Sequence, residues 1–103
     1  MNLEIPIACS LTDKELQQRR KNYLQKAAES LIDSAELSDG FVYRFPLAES
    51  TLRDLAEIID LERRCCPFLN FRLILEAGDD FVSLELTGAE GTKEIVKSLF
   101  DWN

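Results

Sequence analysis

The chain has 103 residues, 46% of them hydrophobic, and its 19 acidic and 12 basic side chains give a net charge of −7. That length and composition predict a single domain over residues 1–103 with one apolar core, and they exclude a disordered or fibrous chain. The acidic surplus repels a phosphate backbone and an anionic bilayer, which argues against nucleic acid and membrane as partners.

Leu3 to Cys9 reads as a short apolar strand whose Pro6 suits a sheet edge, because proline donates no ladder hydrogen bond. Thr12 and Glu15 form a capping box, after which Leu16, Tyr23, Leu24, Ala27, Leu31 and Ile32 recur at helical spacing. A helix from about Asp13 to Asp33 is expected, with Arg19-Arg20-Lys21 on its wet side. Asp39-Gly40 signals a turn, and Phe41, Tyr43 and Phe45 then alternate with polar or smaller neighbours until Pro46.

Ser50 is positioned to cap a second helix, in which Leu52, Leu55, Ala56 and Ile59 form a stripe that Ile58 and Leu61 widen toward Cys65. Pro67 ends that helix, since a residue preceding proline is pushed out of the helical region. Phe71, Leu73 and Leu75, then Val82, Leu84 and Leu86, alternate on either side of Ala77-Gly78-Asp79-Asp80 and predict a β-hairpin. Ile95, Val96, Leu99 and Phe100 give a closing helix after a Thr87–Glu90 capping box. The expected fold class is α+β: a two-layer sandwich of a mostly antiparallel sheet of about four strands with three helices, in the order βαβαββα.

The chain contains no histidine. This removes the commonest general base and the commonest ligand for zinc, copper or iron, so Ser-His-Asp, Cys-His and histidine-bearing metal chemistry are excluded. Chemistry then falls to thiols, carboxylates, amines, phenols and guanidinium groups. Three cysteines, two of them adjacent, do not form the disulfide framework of a small secreted protein. The start Met-Asn-Leu-Glu-Ile-Pro lacks the basic and apolar regions of a secretion signal. A cytoplasmic protein with reduced thiols is therefore expected.

Adjacent thiols select soft ions such as Cu(I), Hg(II) or As(III), and two or three of them form a linear or trigonal centre without histidine. Cys65 and Cys66 are the candidate ligands, and Cys9 is a candidate third if its strand ends beside the segment that starts at Phe68. Arg63 and Arg64 are candidate supporting residues that favour thiolate, whereas the negative end of the helix dipole opposes it. The bland alternative is that the cysteines pack as small hydrophobes beside Leu61, Phe68 and Leu69.

Other features have simpler readings. Thr87 to Thr92 lacks the lysine of a phosphate loop, Asp79-Asp80 are turn formers, and the Phe41, Tyr43, Phe45 stripe is core. Trp102 either packs on the fold or marks a contact surface.

Ile7-Ala8-Cys9-Ser10-Leu11, Phe45-Pro46, Glu62-Arg63-Arg64-Cys65-Cys66-Pro67-Phe68-Leu69 and Leu86-Thr87-Gly88-Ala89-Glu90-Gly91 together resemble a family of small bacterial proteins with a Glu-Arg-x-Cys-Cys-Pro-Phe motif. Members of that family accompany heavy-metal resistance functions, mercury in particular. The resemblance spans most of the chain and implies that Cys9, Cys65 and Cys66 belong together, but it supplies no reaction. The expectation is a cytoplasmic thiol protein that binds a soft metal ion for sequestration or transfer. A thiol redox protein or enzyme stands as one alternative. The other is a small acidic interaction module, working as a homodimer or with a protein partner, whose cysteines only pack.

Overall fold

The computed structural model, which describes the backbone of residues 14–100 and the side chains of residues 14–97, has seven elements among them. They are α1 (Lys14–Ser30), β1 (Asp33–Leu37), β2 (Gly40–Pro46), α2 (Thr51–Cys65), β3 (Asn70–Ile74), β4 (Phe81–Thr87) and α3 (Thr92–Phe100). The fold is α+β, with three helices and a four-stranded antiparallel sheet among the described residues. The strand expected at Leu3 to Cys9, the Thr12 cap and Trp102 lie outside the described residues.

The strand order is β1-β2-β4-β3, every neighbouring pair being antiparallel. Since β4 runs against both β2 and β3, those two strands run parallel to each other, and α2 carries the chain from one to the other. Phe41, Tyr43 and Phe45 sit opposite Leu86, Leu84 and Val82, so the period-2 alternation of both strands puts all six side chains on one buried face. Leu24 and Ala27 of α1, Leu55 and Ile58 of α2, and Val96 of α3 close over that face. Val42, Arg44, Ser83 and Glu85 occupy the other face, which no helix among the described residues covers, and are half-buried there.

Two expectations are corrected. The first helix stops at Ser30, and Leu31 and Ile32 do not continue it; the Ile32 N–H donates to the Arg44 carbonyl at 2.8 Å and leads into β1. β1 has no apolar alternation of its own, and its residues are mostly exposed. It is a strand because a two-residue turn, Ser38-Asp39, folds it onto β2, and because Asp33 pairs with the Arg44 guanidinium across the ladder. The second correction concerns Ser50, which precedes α2 but makes no side-chain cap; its hydroxyl bonds Asp54 Oδ2 at 3.3 Å instead.

Candidate metal centre

α2 buries Leu55, Ile58, Leu61, Glu62 and Cys65, a spacing that keeps one helical stripe against the sheet and α1. Glu62 and Cys65 are neighbours on that stripe, three residues apart. Cys66 follows as the C-cap, at φ −128° and ψ 74°, with its N–H donating to the Glu62 carbonyl at 2.6 Å. A further helical residue would point about 100° away from Cys65. Leaving the helix at the cap, ahead of Pro67, lets both adjacent cysteines be fully buried.

One ligand atom from each of Glu62, Cys65 and Cys66 lies within 4.8 Å of the others, and all three residues are buried. A metal–thiolate bond of about 2.3 Å places two sulfurs up to about 4.6 Å apart on opposite sides of one ion, so the separation suits two- and three-coordinate binding. Cys65 is engaged in a disulfide, whereas Cys66 is a free cysteine. The expectation of uniformly reduced thiols is corrected for Cys65. Cys9 lies outside the described residues.

Arg20 of α1 reaches this stripe from the neighbouring helix. Its Nη2 donates to Glu62 Oε1 at 2.9 Å, while Nε lies in ion-pair contact with Oε2 without making a hydrogen bond to it. Burial pushes the Glu62 carboxyl above its ordinary 4.5, with the Arg20 guanidinium pulling the other way. Cys66 is pushed from 9.0 up to about 11, first by burial and then by the negative charge of Glu62, again with Arg20 opposing. At neutral pH Cys66 is therefore a protonated thiol and a poor nucleophile.

The cation acting on Cys66 is Arg20, where the sequence pointed to Arg63 and Arg64. Both of those side chains are exposed and pair with Asp60, at 2.8 and 2.9 Å. The sequence pattern puts Arg20 on the wet side of α1; it lies instead with Leu24 and Ala27 on the buried stripe, at positions i, i+4 and i+7. Glu62 was read only as part of the cysteine motif. The signal that could have found it is its place four residues after Ile58 and three before Cys65, a carboxylate on an otherwise apolar stripe.

No helix among the described residues is long and apolar enough to cross a membrane. Comparison with protein-family models, with curated proteins and with solved structures gives no match.

Proposed function

We propose that the reduced protein binds a soft metal ion, Hg(II), Cu(I) or As(III), through Cys65 and Cys66 with Cys9 as third ligand, and that it sequesters or transfers that ion in the cytoplasm. The observation that carries this reading is the convergence of two buried sulfurs and a carboxylate within 4.8 Å in a chain without histidine. A raised thiol pKa does not prevent it, because a thiophilic ion displaces the proton on binding. A disulfide does prevent it, since a sulfur bonded to sulfur is no longer a thiolate, so binding requires Cys65 to be reduced.

Titrating the reduced full chain with Hg(II) in a thiol-free buffer tests the proposal. One ion per chain is expected, with about three protons released as the three thiols ionise. A Cys65→Ser, Cys66→Ser variant that binds as tightly as the wild type would overturn it.

A thiol-redox role is the second reading, favoured by the juxtaposition of a disulfide at Cys65 and a free thiol at Cys66. It requires Cys66 to attack disulfides at neutral pH. Reaction of Cys66 with a small aromatic disulfide at pH 7 at a rate matching or exceeding that of free cysteine would favour it over the metal reading.

A further inference from the structure

Glu62 brings an oxygen donor into reach of both sulfurs, yet Arg20 is paired with it, donating to Oε1 and setting Nε against Oε2 in an ion-pair contact that makes no hydrogen bond. The two residues belong to different helices and are 42 positions apart, and both are buried. A carboxylate in contact with a buried guanidinium has its charge matched by a contact cation and one oxygen committed to a donor N–H group. It is a weaker metal ligand than a carboxylate that is free to turn.

Metal ions differ in how much this matters. A soft ion is satisfied by two or three thiolates, in linear or trigonal geometry. Zinc fills four positions, and harder cations fill six or more, largely with oxygen. The buried centre gives water little access to supply the remainder, and Glu62 is the oxygen donor grouped with the two cysteines among the described residues.

Resting on the soft-metal reading, we infer that Arg20 sets the metal preference of the centre: by engaging Glu62 it withholds the oxygen donor, so that the site presents sulfur to soft ions and discriminates against zinc. Arg20 is thus a positioning residue that acts through Glu62, and Glu62 is not a ligand in the wild-type protein. Replacing Arg20 by glutamine removes the contact cation and frees the carboxylate to add an oxygen to the zinc shell beside the two thiolates.

The experiment uses the reduced full chain and two probes, Zn(II) by competition with a chromophoric chelator and Hg(II) by competition with a small dithiol. In Arg20→Gln, Zn(II) affinity is expected to rise about tenfold, with Hg(II) affinity changed by less than about threefold. Glu62→Gln is expected to leave both affinities within about threefold of the wild type. A purely structural ion pair would lower stability in both variants and leave the zinc-to-mercury ratio unmoved.

Folded Arg20→Gln with unchanged or weaker zinc binding overturns the inference. So does a tenfold loss of Hg(II) affinity in Glu62→Gln, a result that decides the matter even if Arg20→Gln does not fold. Wild-type protein that binds Hg(II) but takes Zn(II) equally tightly also overturns it, while leaving the soft-metal reading intact. Failure of the wild type to bind Hg(II) at all removes that reading, and this inference with it.

Discussion

A buried thiol four residues from a buried carboxylate is harder to ionise, and Cys66 feels both the lost hydration and the Glu62 charge. The consequence appears as a dependence of stability on alkaline pH. The folded protein holds the Cys66 proton up to about 11, whereas the ordinary value is 9.0. A raised folded pKa gives stability that is fully present below pH 9 and is lost as pH rises through 11. Urea unfolding of the wild type and of Cys66→Ala across that window is expected to show the wild type losing about 2 kcal/mol more than the variant. Parallel curves would mean that Cys66 ionises as readily in the folded chain as in the unfolded one.

At the scale of elements, the site exists because α2 stops where it does. Glu62 and Cys65 share the buried stripe by helical spacing, and the cap conformation imposed ahead of Pro67 brings Cys66 inward beside them. The sheet depends on a similar local constraint at Gly40, the first residue of β2. It faces Thr87 across the β2–β4 ladder, and a methyl group there would overlap the Leu86 carbonyl oxygen and crowd the Thr87 Cα at 2.8 Å. Because the clash is with backbone, no rotamer relieves it. Gly40→Ala is expected to destabilise the protein by about 1–3 kcal/mol, read as a lower urea midpoint with an unchanged m-value. A neutral substitution would show that β2 and β4 can separate at this end at no cost.

At the scale of the whole molecule, one core joins all three helices to the two central strands, and Leu84 lies at its centre without exposed surface. Leu84→Ala is expected to cost about 2–5 kcal/mol in a single cooperative transition, measured by urea unfolding. Separate transitions for the helices and the sheet would contradict a single core. Surface ion pairs such as Lys26–Asp54 and Arg72–Glu85 have charges in water and contribute little by comparison.

The sequence by itself determined what local periodicity encodes: α2 and its stop at Pro67, the aromatic face of β2, the β3–β4 hairpin, the closing helix and the exceptional pair Cys65-Cys66. β1 was illegible because its polar residues carry no alternation and become a strand only by pairing with β2. Arg20 was illegible for a related reason. A basic residue between two others looks solvated until a partner 42 positions away gives it a reason to be buried. Tertiary structure alone decided that Arg20 and not Arg63 or Arg64 supplies the neighbouring cation, and that burial and the Glu62 charge push the Cys66 thiol above its ordinary value. Each of these depends on which charges share a dry interior, and that is set by how α1 packs on α2, which no short stretch of sequence contains.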